Sequence, residues 1–150
     1  GVYTLPEVWE DEFVSIQERY KRGVFALDTA LFLLDLTDRT PHKFHMAFPY
    51  GYNTSSPKAA GILCSCKKEP YYSLGIALVD TPAGNTVRAY NAEKTLCEIL
   101  KPISHTDIQI ITDAFKRYAG RKDKNIPLLS EYAHQLRVEK RLRPYLEVLL

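Results

Sequence analysis

Residues 71–90 read YYSLGIALVDTPAGNTVRAY, and this stretch decides the fold class. Two segments rich in apolar and aromatic residues, 71–80 and 85–90, flank the sequence TPAGN. Proline presets the φ angle of a turn, and glycine accepts the positive φ that tight turns often need. The pattern therefore predicts two strands joined by a hairpin turn at residues 81–85.

Two further strands are predicted upstream of this hairpin. Residues 43–48 (KFHMAF) alternate large apolar side chains with lysine, histidine and alanine, which is the period of a half-buried strand. Residues 61–68 (GILCSCKK) predict another strand, and the polar run 49–56 (PYGYNTSS) between the two predicts a loop. We therefore expect a sheet of about four strands, antiparallel or mixed.

Helical patterns surround the predicted sheet. Apolar residues recur at helical spacing in residues 11–20, and Asp28 stands where an N-cap would, before the apolar run 29–34. Residues 23–27 between them predict a short strand-like or extended link. Four more helices are predicted after the sheet: from Asn91 to about Lys101, from Ser104 or Thr106 through Tyr118, from Pro127 onward, and over 139–150. The sequence predicts a single α+β domain, with two N-terminal helices and a helical C-terminal half.

Composition limits the class of protein. The chain has 150 residues, of which 45% are hydrophobic and 25% charged, as expected for one globular domain. No run reaches the roughly 18 apolar residues of a membrane-spanning helix, and no charged-then-apolar leader opens the chain. The three cysteines, Cys64, Cys66 and Cys97, are too few and too unevenly placed for a secreted disulfide framework. We expect a soluble, cytoplasmic protein with reduced thiols and no membrane partner.

The sequence lacks the common catalytic and cofactor-binding motifs. No two of the four histidines stand at the i, i+4 spacing of a helical zinc pair. Phosphate-binding glycine loops, the dinucleotide fingerprint and the Gly-x-Ser-x-Gly elbow are also missing. No Asp or Glu is followed two positions later by lysine, as in many metal-dependent nucleases. We therefore predict a protein that is not an enzyme and needs no metal or cofactor.

Positive charge is concentrated in the last third of the chain. Residues 101–150 carry ten Lys and Arg against six Asp and Glu, whereas residues 1–100 carry ten against twelve. Such clusters can attract a phosphate backbone, but they can equally be solvated helix surfaces. The candidate nucleic-acid-binding residues are Lys116, Arg117, Arg121, Lys122 and Lys124 in a first basic cluster, and Arg137, Lys140, Arg141 and Arg143 in a second.

Two polar loops form a candidate recognition surface. Asp38 and Arg39 follow the second apolar helix, and Tyr50, Tyr52 and Asn53 follow the first strand of the sheet. Tyrosine and arginine are favoured at interfaces because they combine contact area with directional hydrogen bonds. The structural alternative is that the Asp–Arg pair fixes its loop to a helix by an ion pair while the asparagine caps a turn. The sequence leaves both interpretations open.

Five separated segments resemble one protein family. They are residues 1–6 (GVYTLP), 37–41 (TDRTP), 48–53 (FPYGYN), 93–97 (EKTLC) and 137–150 (RVEKRLRPYLEVLL). In this order they resemble the C-terminal domain of AbiEi, the antitoxin of type IV toxin–antitoxin systems, which are associated with abortive infection and phage defence. Segment 93–97 is marked only by this resemblance. Its residue types alone predict the start of a helix with a structural role.

The resemblance implies a regulator without chemistry of its own. Such a domain counteracts a nucleotidyltransferase-like toxin and, in the full-length protein, supports transcriptional autorepression of the operon. The family carries an N-terminal winged helix-turn-helix that contacts operator DNA, and residues 1–9 resemble the linker or the end of that module. Direct binding of the toxin is left open. The alternative is a basic domain that contacts the phosphate backbone of nucleic acids without sequence specificity.

Overall fold

The structure is a computed structural model that describes residues 11–149, so the predicted linker 1–9 lies outside the described residues. Within this range the chain folds as α+β, with seven α-helices and a five-stranded mixed sheet. The helices are α1 (Glu12–Arg19), α2 (Leu27–Leu33), α3 (Ser55–Ala59), α4 (Ala92–Ile99), α5 (Ile108–Ala119), α6 (Ile126–Gln135) and α7 (Glu139–Leu149). The strands are β1 (Val24–Phe25), β2 (His45–Pro49), β3 (Leu63–Lys67), β4 (Ile76–Asp80) and β5 (Thr86–Tyr90).

The sheet has the strand order β3-β2-β1-β5-β4. The predicted hairpin is confirmed, since β4 and β5 pair antiparallel with Val79 opposite Val87. Two other pairs, β2 with β3 and β1 with β5, are parallel, so the sheet is mixed. The fifth strand is β1, which lies in the segment predicted as a short strand-like or extended link; its two residues are too few to show a period.

Strand β2 is covered on both faces, so the prediction of a half-buried strand is wrong here. Met46, Ala47 and Phe48 are all fully buried. Met46 and Phe48 pack in the core beneath α1, whereas Ala47 packs with Tyr72 on the opposite face. Tyr72 belongs to the connection from β3 to β4, which therefore crosses the face that the alternation suggested would be open to solvent.

Side-chain caps set the starts of most helices that follow the sheet. The Asn91 side chain accepts a hydrogen bond from the Lys94 amide and caps α4, which confirms the prediction. Asp107 caps α5 instead of Ser104 or Thr106, because a short 3₁₀ helix, Pro102–Ser104, intervenes. The second helix, α2, begins at Leu27, so Asp28 lies in its first turn and is not its N-cap.

The run 49–56 was predicted to be entirely a loop, and this is wrong at its end because α3 begins within it. Buried Pro57 lies in this five-residue helix, and proline tolerates the first turn of a helix. The Ile62 amide donates to the Pro57 carbonyl at 3.0 Å, so the helix leads directly into β3.

Helix α4 is the centre of the helical layer. All eight of its residues are buried, and it packs against α2, α5 and α6. Leu96 and Ile99 lie in the largest apolar cluster of the domain, as their spacing predicted. Since even the charged residues of this helix are buried, its polar side chains must find partners inside the protein.

Candidate functional site

The arginines of the first basic cluster are bound to neighbouring residues. Arg117 Nε lies 2.9 Å from Asp113 Oδ2, one turn earlier on α5. Arg121 donates two hydrogen bonds of 2.9 Å to the Asp123 carboxylate and a third, of 2.8 Å, to the Leu34 carbonyl at the end of α2. Arg121 therefore links α2 to the loop after α5.

The lysines of the same cluster differ from one another. Lys124 Nζ donates to the Ala119 carbonyl at 2.8 Å and so satisfies an end carbonyl of α5. Lys116 and Lys122 are exposed and have no hydrogen bond or ion pair within residues 11–149. Two of the five residues of the first basic cluster, Lys116 and Lys122, are thus available to contact solvent or a ligand.

The second basic cluster is fully exposed. Its residues are Arg137, Lys140, Arg141 and Arg143, and in the described part of the chain none of the four forms an ion pair or a hydrogen bond through its side chain. Val138 and Leu142 are buried and fix this segment to the helical core. Glu139 is held by His134, with Oε2 and Nδ1 3.2 Å apart. The second cluster therefore presents Lys140, Arg141 and Arg143 on the packed helix α7, and Arg137 in the turn before it.

The loop with Asp38 and Arg39 connects α2 to β2, and both residues are exposed. The loss of water around the Asp28 carboxyl raises its pKa above the ordinary value, and the nearby positive charge of Arg39 opposes this rise. Arg39, Asp28 and Thr37 line a small cavity of about 220 Å³ between this loop and α2. Arg39 therefore influences the Asp28 carboxyl, but neither Asp38 nor Arg39 forms the ion pair of the structural alternative within residues 11–149, and both remain accessible.

Tyr50, Tyr52 and Asn53 lie beyond the other end of β2. The Tyr52 ring stacks on Phe48 with ring centroids 4.5 Å apart, and Asn53 Oδ1 accepts the Ser55 amide at 3.0 Å. Tyr50 is 70% exposed, with Lys68 Nζ 4.9 Å from its ring centroid. Only Tyr50 is free to act as an interface anchor, because the stacked tyrosine and the capping asparagine have structural contacts.

The two predicted halves of the recognition surface are therefore separated by a strand. Five residues of β2 stand between them, and at roughly 3.3 Å per residue the strand is about 17 Å long. Asp38 and Arg39 lie at the end of the sheet where β3 starts, whereas Tyr50 lies where β3 ends, because β2 and β3 are parallel. The structure does not bring these residues into one small site.

A buried polar network on α4 was not predicted. The Lys94 side chain is fully buried, and its Nζ donates to the carbonyls of Tyr71 and Leu74 at 2.7 and 2.9 Å. The ammonium also lies 3.9 Å from the centroid of the Tyr90 ring and 3.7 Å from Glu98 Oε1. Burial lowers the pKa of Lys94 to about 8, although the Glu98 carboxylate favours the charged form.

The same network extends to a strand and to a second helix. Glu98 lies 3.2 Å from Lys67 Nζ on β3. Glu93 accepts a hydrogen bond of 2.5 Å from the Tyr118 hydroxyl, which itself accepts the Asn125 amide at 2.7 Å. Burial raises the pKa of Tyr118, and its bond to Glu93 adds to the effect. The segment 93–97 therefore connects the β3–β4 crossover to Tyr118 and the start of α6, and the adjoining Glu98 adds the contact with β3, in agreement with the predicted structural role of the segment.

A cavity of about 560 Å³ opens where β2 and β3 begin. Its walls are apolar at Leu27, Ile62, Leu63 and Ile103, and charged or titratable at Asp28, Lys43, His45, Lys58 and His105. His45 Nε2 lies 3.3 Å from Ser65 Oγ. Burial lowers the pKa of His45 to about 4, with a further contribution from the Lys67 charge, so the imidazole is neutral at pH 7. No sequence motif marks this cavity, because its walls come from five separate elements: α2, β2, α3, β3 and the 3₁₀ helix Pro102–Ser104.

Comparison with known proteins adds no assignment: no protein-family model matches the chain, and no curated protein matches its sequence. Among residues 11–149, no three His, Cys, Asp or Glu side chains are placed to hold a metal ion together. No helix in this range has the length and apolar character needed to cross a membrane. Its three cysteines are free thiols.

Proposed function

We propose that this chain is the antitoxin domain of a type IV toxin–antitoxin system. In this proposal it acts in the cytoplasm, counteracts a nucleotidyltransferase-like toxin, and supports autorepression of the operon when joined to an operator-binding module. It performs no catalysis itself. The AbiEi-like segments carry the proposal, since they occur in the same order from one end of the chain to the other.

The placement of those segments supports the proposal. Asp38 and Arg39 lie on an exposed loop beside a small cavity, and the second basic cluster lies exposed on α7 and in the turn before it. By contrast, the segment 93–97 is buried and maintains the fold. The AbiEi-like residues therefore divide into a scaffold and two accessible surfaces, as expected for a domain that acts by binding.

Growth rescue tests this function. The chain is expressed with the nucleotidyltransferase-like toxin of its operon, alone or fused to an operator-binding module, with folding and abundance checked in parallel. We expect rescue by the chain alone, and repression of an operon reporter only by the fusion. If a folded, abundant chain gives no rescue, antitoxicity does not reside in this domain.

A second function is favoured by the four cations of the second basic cluster, whose side chains have no ion pair or hydrogen bond within residues 11–149. We propose as the alternative that α7 contacts a phosphate backbone without sequence specificity. Two acidic residues on the helix, Glu139 and Glu147, reduce its net charge, so the contact would be weak and sensitive to salt. Fluorescence anisotropy with a 20-nucleotide RNA at 50 and 200 mM salt measures it, because each neutralised phosphate releases counterions. Affinity that does not change with salt would exclude this alternative.

A further inference from the structure

The outer edge of β3 has unused backbone hydrogen-bonding groups. β3 is the last strand on its side of the sheet. The Leu63 amide donates to Phe44 at 2.8 Å, and the Lys67 carbonyl accepts from Tyr50 at 2.9 Å. Because alternate residues of a strand bond to the same neighbour, Cys64 and Cys66 direct their N–H and C=O groups away from β2. In the described residues no backbone segment pairs with them.

The large cavity adjoins one end of this free edge. Leu63 begins β3, lines the cavity and is 48% exposed, and Ile103, which also lines the cavity, is 81% exposed. An extended chain added to β3 would place alternate side chains on the face that carries Leu63. One apolar side chain of such a chain could then enter the cavity between these two residues. Edge pairing supplies backbone hydrogen bonds, and the cavity supplies side-chain selectivity.

Positive charge surrounds the edge at both ends. Lys43 and Lys58 line the cavity, and Lys67 and Lys68 stand at the far end of β3. Lys67 pairs with Glu98, but Lys43, Lys58 and Lys68 have no acidic partner within residues 11–149. Lysines on an edge strand repel a second copy of the same edge. The positive charge of Lys43, Lys58 and Lys68 is complementary to that of an acidic peptide segment.

We propose that β3 is a docking strand for an extended, acidic segment of a partner protein. The segment adds to the sheet through the backbone groups of Cys64 and Cys66, and it inserts an apolar side chain into the cavity beside Leu63. This surface adjoins the Asp38 loop at Asp28 and Lys43, but it uses backbone groups of β3 that the antitoxin proposal does not involve. The inference therefore stands whether or not the domain is an antitoxin.

The chemistry of the edge favours a peptide over a nucleic acid. A strand edge offers carbonyl acceptors as well as amide donors, and a phosphate backbone cannot satisfy those carbonyls. The cavity also contains the Asp28 carboxylate and no arginine, whereas phosphate sites commonly use arginine for bidentate contacts. A peptide backbone matches both kinds of group.

Two designed peptides test the docking strand. The first is acetyl-EVELEVEG-amide and the second is the same peptide with every glutamate replaced by lysine. We expect the acidic peptide to bind with a Kd below about 1 mM, and the basic peptide to bind at least about tenfold more weakly. Amide exchange followed by NMR should slow at Cys64 and Cys66 when the acidic peptide is added. Absence of binding by both peptides, or equal binding by both, would overturn the proposal.

Cys66→Pro removes one outward N–H group without breaking the sheet, since proline is tolerated at edge positions that face solvent. We expect this variant to lose at least about tenfold in peptide affinity, while the matched control Cys66→Ala keeps it. Lys43→Glu with Lys58→Glu is a second variant that leaves the strand intact, and it should reverse the preference between the two peptides. Unchanged affinity in the proline variant would contradict edge pairing. Binding of a 20-nucleotide RNA that competes with the peptide and depends only on the lysines would assign the surface to nucleic acid instead.

Discussion

Two helices of this domain have the same charged dipeptide in their first turn, but its side chains are buried in one helix and exposed in the other. In α4 the pair is Glu93-Lys94, and in α7 it is Glu139-Lys140. The first pair is buried and bonded to the core, whereas the second lies at the surface, where Lys140 has no ion pair within residues 11–149. Residue type alone therefore does not distinguish a structural charge from one available to a partner.

The surroundings of each helix explain the difference. The crossover before β4 passes over the start of α4 and offers two carbonyls to the Lys94 ammonium. A buried charge with such partners stabilises the arrangement around it, and removal of one member leaves the others unsatisfied. α7 packs with one side only, so its charges on the other side remain in water.

The largest effect is expected from Lys94→Ala. The change removes the donor to two carbonyls and one neighbour of the Glu98 carboxylate, so we expect a loss of about 3 kcal/mol in the free energy of unfolding. The matched control is Lys140→Ala, which should stay within about 0.5 kcal/mol of wild type. Urea unfolding measures both. Equal effects of the two substitutions would remove the distinction between the helices.

A smaller effect is expected from Tyr118→Phe. The hydroxyl joins Glu93 to the Asn125 amide, and its loss leaves a buried carboxylate oxygen and an amide without that partner. We expect a loss of about 2 kcal/mol in unfolding free energy. Tyr145→Phe is the control, since the Tyr145 ring stacks on Phe115 while its hydroxyl has no hydrogen bond in the described residues. If the control is as destabilising as Tyr118→Phe, the network is not the cause.

The pH dependence of stability tests the burial of Lys94 separately. Its pKa is lowered from 10.5 to about 8 in the folded protein, so between these values the unfolded chain binds more protons. Stability should therefore rise with pH in this window, by roughly 1 kcal/mol between pH 8 and 9 from this group. Chemical unfolding of wild type and Lys94→Met at both pH values isolates the contribution. Parallel pH profiles for the two proteins would show that Lys94 titrates normally.

The smallest effect on stability is expected at α7. Arg141→Ala with Arg143→Ala should change the unfolding free energy by less than about 0.5 kcal/mol, because both side chains are exposed. If the second basic cluster binds RNA, the double variant should weaken binding and reduce the slope of log K against log salt by roughly 1.4. The double variant Lys116→Ala with Lys122→Ala, measured in the same RNA-binding assay, gives the corresponding effect for the first basic cluster. Unaltered RNA binding by a folded Arg141/Arg143 variant would end the claim for α7.

Local signals in the sequence predicted much of the fold. The turn at 81–85, the Asn91 cap and the apolar spacing of Leu96 and Ile99 each act over a few residues, and the structure confirms them. Residues 23–27 were predicted as a strand-like or extended link, and the sheet as antiparallel or mixed. The pairing of β1 and the parallel pairing of β2 with β3 were not specified, because both depend on partners distant in sequence. The burial of the second face of β2 was not predicted for the same reason, since the β3–β4 connection that covers it is distant in sequence.

Functional-site residues were harder to predict from the sequence than helices and strands. Arg121 and Arg141 look alike in the sequence, yet the first is bonded to Asp123 and Leu34 while the second is exposed without a partner in the described chain. The cavity beside His45 has no local pattern, since its walls meet only in the folded protein. Adjacent loops such as those around Asp38 and Tyr50 were grouped by sequence proximity, whereas a strand separates them.

Growth rescue by Asp38→Ala with Arg39→Ala is the most direct test of the central claim, that this domain protects through an accessible surface on a separate scaffold. The variant is expressed with the toxin at matched abundance, next to wild type and Lys140→Ala, and its thermal unfolding is measured. We predict that the double variant unfolds at nearly the wild-type temperature and fails to protect, while the Lys140 control protects. Normal protection by the double variant, with earlier unfolding, would contradict the claim and assign this pair to the scaffold.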